Sequence, residues 1–277
     1  MENIEEIKEE YKLLKKEVDA LQIELMKGKT PWYKNIPVIL SILALVFSFG
    51  TTYVSNERVK SQDLQALKSE LRGMLQQLTD LPKENFELTQ KYTTDPGAIA
   101  FIGGQLNQEN SLLSSQAASL IAKLPIEEVS AIEAYSVGVS LQNASEMQRA
   151  QDMFLLAYDT AITMNDAVAA KRGIANTYFA MGDPGAGRVE FQEALNIFSR
   201  FKNHNDYVQK TTHLITLMNW HSAEAGSGFM AKARQRLEEA NSIAITLPPG
   251  QFTDQLHNQI KQAFTALDGI SQSSSTQ

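Results

Sequence analysis

The sequence predicts an all-α protein, and three observations carry that reading. Apolar residues recur at spacings of three and four along most of the chain, no stretch alternates apolar and polar residues over strand length, and Pro/Gly clusters fall about a helix length apart. Without cysteine, the chain has no disulfide framework, no thiolate nucleophile and no cysteine-based zinc site. A formal net charge of -7 and the lack of a polybasic block argue against nucleic acid as a partner.

The first element, residues 1–30, places Ile4, Ile7, Tyr11, Leu14, Val18, Leu21 and Leu25 at alternating spacings of 3 and 4, a heptad seam. Glu10, Glu17 and Glu24 then occupy one flank, and Lys8, Lys15 and Gln22 the other. In a parallel pair Glu10 faces Lys15 of the partner copy, so the segment predicts a parallel homodimer, with a trimer as the alternative. The same face could instead pack on the chain's own domain or on a membrane surface.

Residues 36–54, IPVILSILALVFSFGTTYV, carry no charge. As a helix they would extend roughly 28 Å, close to the hydrocarbon thickness of a bilayer. Trp32, Tyr33 and Tyr53 stand where interfacial aromatics belong, and Lys29, Lys34, Arg58 and Lys60 bracket the run. The expectation is a single transmembrane helix and a single-pass membrane protein. Lys16, Lys27, Lys29 and Lys34 balance Arg58, Lys60, Lys68 and Arg72, so the flanking charges give no orientation. A short charged tail ahead of an uncleaved span favours a cytoplasmic N-terminus and an extracytoplasmic C-terminal domain.

Residues 56–81 form a second, juxtamembrane helix. Leu64, Leu67, Leu71, Met74, Leu78 and Leu81 make its seam, which Pro82 is expected to end. Two readings stand side by side: a second coiled coil, or a helix packed on the chain's own domain.

From 84 to 270, helix-length segments alternate with breaks at Asp95-Pro96-Gly97, Pro125, Gly182-Asp183-Pro184, Ala225 to Gly228 and Pro248-Pro249-Gly250. Ala150, Phe154 and Ala157 are matched 37 residues on by Gly187, Phe191 and Ala194, and 46 further on by Ala233, Leu237 and Ala240. Val137-Gly138 with Leu141 aligns with Ile174-Ala175 with Tyr178 at the same 37-residue offset, and Ala117, Ile121 and Leu124 suggest an earlier unit. A helix and its successor therefore repeat together. This pattern resembles the tetratricopeptide repeat family, best over 168–201 and fairly over 131–163. It departs from that family in its longer spacings, in lacking a closing proline at Ile162 and Ser199, and in an insertion expected around Gly226. The resemblance implies a helix-pair solenoid whose groove is lined by the first helix of each pair. The last helix, from Gln251 to Ile270, carries Phe252, Leu256, Ile260, Phe264 and Leu267 as a covering stripe, and 271–277 is expected to be a disordered tail.

Through the resemblance, Lys171, Asn176 and the 204–220 helix with His213 and Trp220 become candidate partner-binding residues. His213 and His221, eight apart, could also share a helix face as a ligand-binding pair. No H-E-x-x-H, P-loop or G-x-S-x-G string occurs, so no enzyme, cofactor or metal is expected. The Gly182 to Gly187 stretch follows no strand and reads as an inter-helix turn, with Asp183 as the N-cap of the next helix. The expected function is a membrane-anchored scaffold or adaptor binding a protein or peptide partner. The alternative is a transmembrane regulatory or sensor protein signalling through its stem, which Lys29-Thr30-Pro31 and Pro37 would weaken mechanically.

Overall fold

The computed structural model describes residues 9, 11–20, 23, 36–92, 95–201 and 205–274. Their regular structure is helical, with no strand among the described residues, which fits an all-α fold. It divides into two compact units, Met1–Gln65 and Ala66–Gln277.

In the first unit residues 11–20 are helical. Tyr11 and Val18 are exposed and Leu14 is half-buried, whereas Ile4, Ile7, Leu21 and Leu25 of the same seam lie outside the described residues. So do Trp32, Tyr33 and Lys29 to Pro31.

Helix α1 spans Ile36–Lys91, 56 residues. Here the membrane expectation is corrected: among the described residues no helix is long and apolar enough to cross a membrane. The uncharged stretch 36–54 is not a free-standing element but the opening third of a longer helix, which continues through Glu57, Arg58 and Lys60 into charged sequence. The single transmembrane helix, the single-pass localisation with its assigned sides and the membrane as integral partner are corrected with it. Pro82 also fails to end the helix and sits inside it. A proline interior to a helix forfeits one backbone bond, and buried Leu78 and Leu81 anchor the turn just before it.

In the second unit Leu71, Leu78 and Leu81 are buried, so half of the 56–81 seam is occupied within the chain itself. Helix α2, Pro96–Ile121, starts where Asp95 accepts a hydrogen bond from the Ala98 amide at 3.0 Å and Pro96 needs no partner for its nitrogen. Then come α3 (Ala131–Asn143), α4 (Met147–Asp159), α5 (Met164–Ala180), α6 (Pro184–Asn196), α7 (Asp206–Gly226), α8 (Met230–Ala244) and α9 (Gln251–Ser274). Ser130 and Glu133 form a capping box on α3. Thr163, Asp183 and Asn205 cap α5, α6 and α7 with side-chain oxygens. Residues 271–274 continue α9 as helix instead of a loose tail, and 275–277 lie outside the described residues.

Successive helices pair α3 with α4, α5 with α6 and α7 with α8, and the first helices touch in turn, α3 with α5 and α5 with α7. Helix α2 packs on α3 at one end, and α9 packs on α8 at the other. The α9 stripe is buried at Leu256, Ile260 and Leu267, whereas Phe252 remains exposed.

The turn within each pair is the same structure three times. Ser145, Gly182 and Gly228 adopt positive φ of 63°, 83° and 82°. The amide after each reaches back to a carbonyl five residues earlier: Glu146 to Leu141, Asp183 to Tyr178 and Phe229 to Glu224, at 2.8 to 2.9 Å. This is the Schellman ending, in which a left-handed residue lets the helix close its last carbonyls. The three turn residues are 37 and then 46 apart, like the apolar faces, and each link contains three residues: 144–146, 181–183 and 227–229. The longer second spacing therefore arises partly in the connection between α6 and α7 and partly from α7, 21 residues against the 17 of α5, not in an insertion at Gly226 as the sequence suggested.

Between pairs the contact is set by Phe154. A Cβ placed on Gly138 of α3 would lie 2.7 Å from its ring, and one on Gly173 of α5 would lie 2.6 Å away. Phe154 is fully buried in that slot. Within the second pair Gly187 plays the close-approach part, since a Cβ there would meet Phe179 at 2.5 Å and the Ala175 carbonyl at 3.0 Å.

These positions predict three changes in stability. Ser145→Gly should raise the unfolding free energy by about 1 kcal/mol, because a left-handed conformation costs an L-residue roughly that much, and Gly182→Ala should lower it comparably. A Cβ at Gly182 meets nothing within 4 Å, so that loss would be purely conformational. Gly173→Ala, by contrast, should cost about 2 kcal/mol or more through overpacking against Phe154. Urea titrations of the three variants at one pH measure all of these effects.

Candidate partner-binding face

The first helices α3, α5 and α7 bring equivalent positions into rows. Counting 37 and 46 residues along the chain aligns Tyr135, Arg172 and Met218, and likewise Val139, Asn176 and Ser222. Apart from exposed Ser222, these side chains are half-buried, unlike the buried Val137, Ile174 and Trp220 on the packed side of the same helices.

Of the four residues picked from the sequence, Lys171, His213 and Trp220 are engaged inside the fold. Lys171 is 8% exposed and its Nζ donates to Glu190 at 2.7 Å and to Glu193 at 2.6 Å, while lying 4.6 Å from the centre of the Tyr158 ring. Burial pushes this ammonium down, but the two glutamate hydrogen bonds overcome it and hold the group above the ordinary lysine range. His213 places Nε2 2.9 Å from the Leu195 carbonyl and sits edge-on to Phe198 at 4.6 Å. Trp220 is buried, stacked on Phe191 at 5.5 Å, and donates its indole N–H to Glu224 at 3.0 Å. Asn176 is half-buried on the row beside Arg172.

The two histidines do not form a site. His221 contacts the Ala233 carbonyl of α8 through Nδ1 at 3.0 Å, whereas His213 is tied to α6. His204 lies outside the described residues. Among the described residues no group of three His, Cys, Asp or Glu side chains could hold a metal ion.

The carboxylate of Glu224, fully buried on α7, receives both arms of Arg188 from α6, Nε at 2.8 Å and Nη2 at 2.7 Å. Arg236 lies 3.8 Å from the Trp220 ring centre and Arg188 4.7 Å from that of Phe229. Burial alone would push the Glu224 carboxyl up. The hydrogen bonds from Arg188 and Trp220, with the charges of Arg188 and Lys232, outweigh that and hold it below the usual carboxylate range.

Arg172 is the residue that sequence reasoning missed. It is half-buried on α5, yet no hydrogen bond or carboxylate reaches its guanidinium among the described residues. Burial pushes its pKa down, and only the Tyr135 phenol acts in the other direction. An arginine stays charged at any ordinary pH, so the chain holds an uncompensated cation on this face. The 37-residue offset that aligned Gly138 with Ala175 also pairs Arg172 with Tyr135, and that was the available signal.

No protein-family model matches the chain, and no curated protein matches it. Among solved structures it is similar to BtubC (BKLC) from P. vanneervenii, with 14% identity over 71% of this chain and 84% of that one. The TM-score is 0.41, a likeness too low to bear on fold or function.

The buried Glu224 predicts a pH signature. Because its folded pKa is depressed, its stabilisation is complete above the unfolded glutamate value near ~4.3 and is lost as pH falls through the lower folded value. Glu224→Gln should cost about 3 kcal/mol at neutral pH, since it strands Arg188. The gap between the variant and the parent should then narrow below pH ~4. Denaturant midpoints measured from pH 7 down to pH 3 check both.

Proposed function

We propose that the stacked helix pairs act as a tetratricopeptide-like scaffold that captures an acidic segment of a partner protein on the face formed by α3, α5 and α7, with Arg172 as its anchor. The observation that carries this reading is the missing counter-charge. Keeping a half-desolvated guanidinium without a carboxylate costs stability, and a partner carboxylate would recover that cost as a paired, charge-assisted contact. Asn176, one helical turn along α5, supplies an amide that can donate beside it. The repeat spacing, the recurring turn and the succession of first helices support the tetratricopeptide likeness. The engaged histidines and the side chains committed to packing favour binding over catalysis as this face's role.

A single residue separates this reading from a structural one. Arg172→Met should raise stability by about 1 kcal/mol, because it removes an unpaired desolvated charge while keeping the stem's volume. The same variant should lose the partners recovered by crosslinking from cells, and Arg172→Lys should retain part of them. A fall in stability with an unchanged set of partners would make Arg172 an ordinary packing residue and end the proposal.

A further inference from the structure

A cavity of about 530 Å³ lies between α1, α2 and α3, entirely within the second unit. Its floor is aliphatic, formed by Leu75, Leu78, Leu81, Leu106 and Val139. Its rim carries four primary amides from three helices: Asn85 of α1, Asn107 and Asn110 of α2 and Asn143 of α3. No charged side chain lines it, although 21% of the chain is charged.

That lining is selective. An ion entering the cavity would leave water without meeting a counter-charge, at a cost of several kcal/mol. A pure hydrocarbon would cover the rim amides without satisfying them. Asn110 is already fixed, because its Nδ2 donates to the Ser140 carbonyl at 2.9 Å and leaves its oxygen free to accept. The Asn85 oxygen accepts from Thr89 at 3.4 Å and leaves its nitrogen free to donate. Exposed Asn107 and Asn143 have no hydrogen-bond partner among the described residues, so the rim offers donors and acceptors together. A primary amide presents the same donor and acceptor pair as a peptide bond. The volume lies in the ~300–1,000 Å³ range of ligand sites.

We propose that this cavity binds an uncharged, amide-bearing ligand with a leucine-sized apolar body, held by the aliphatic floor and the asparagine rim. The site is independent of the Arg172 anchor. Gly103 supplies the means of testing it, because it lines the cavity and a Cβ there would meet nothing within 4 Å. Gly103→Leu would place a side chain in the space while improving helix propensity, so the fold should be retained.

The test is a titration of the full, isotope-labelled chain with N-acetyl-leucinamide, reading the side-chain amide resonances of Asn85, Asn107, Asn110 and Asn143. Those resonances should move together in a saturable way. N-acetyl-leucinate, with the same body and a carboxylate, should bind about ten-fold or more weakly. Gly103→Leu should abolish the shifts with its thermal midpoint held or raised, and Arg172→Met should leave them unchanged. Tighter binding by acetyl-Ala-Leu-Ala-amide would identify the source as a segment of another chain, and equal binding would identify it as a free small amide. The proposal is overturned by the absence of saturable shifts, by equal binding of the anion, or by persistence of the shifts in Gly103→Leu.

Discussion

Phe154 in its two-glycine slot is the contact on which the stacking of helix pairs depends. Its ring belongs to α4 and is closed in by Gly138 on the first helix of its own pair and Gly173 on the first helix of the next. Each pair buries only part of its apolar surface alone, so neighbouring pairs must meet over a continuous core, and the distance at which they meet is set by what fills the gap. In the second pair Phe191 fills it by packing on Phe179 at 6.0 Å and on Trp220 at 5.5 Å. The residues equivalent to Gly138 are Ala175 and His221, growing along the chain, while those equivalent to Phe154 are Phe191 and Leu237, shrinking at the end. Volume is traded across the interface, as close packing requires.

Cations finish what the apolar contacts begin. Arg149 of α4 donates to the Ser115 hydroxyl on α2 at 2.7 Å, Lys171 joins α5 to α6, and Arg188 joins α6 to α7. Each link satisfies a charge that packing has partly removed from water, which is the condition for such a charge to be tolerated at all. Lys171 and Arg172 show how local that condition is. One residue apart on a helix means about 100° of rotation, and this turns one cation onto two glutamates and leaves the other facing away from any.

That rotation also explains which parts of the molecule were legible. Helix content, the 37- and 46-residue offsets and the Asp183 cap could be read because they follow from periodicity and local hydrogen bonding. Lys171 and Trp220, offered by the sequence as partner-binding candidates, lie buried because a repeat register identifies the helix but not, to within one residue, the side a residue faces. The insertion was misplaced because the glycines of Ala225 to Gly228 suggested irregularity, when Gly228 is the regular turn residue and Ser145 its less obvious counterpart. The uncharged run at 36–54 was read by what it lacks, and the long helix that contains it was not foreseen because Pro82 was taken as a stop.

Tyr135 belongs both to the half-buried row on the first helices and to the lining of the uncharged cavity. It stands 5.4 Å from the Phe154 ring, so the contact that sets the stacking also fixes one wall of the cavity. The row that places Tyr135 at the cavity wall places Arg172 one repeat further along, so both proposed sites rest on the same register. Each would select by the desolvation cost of the wrong polarity more than by the strength of the right contact, a carboxylate being disfavoured among the cavity's uncharged side chains and an apolar group over the Arg172 cation.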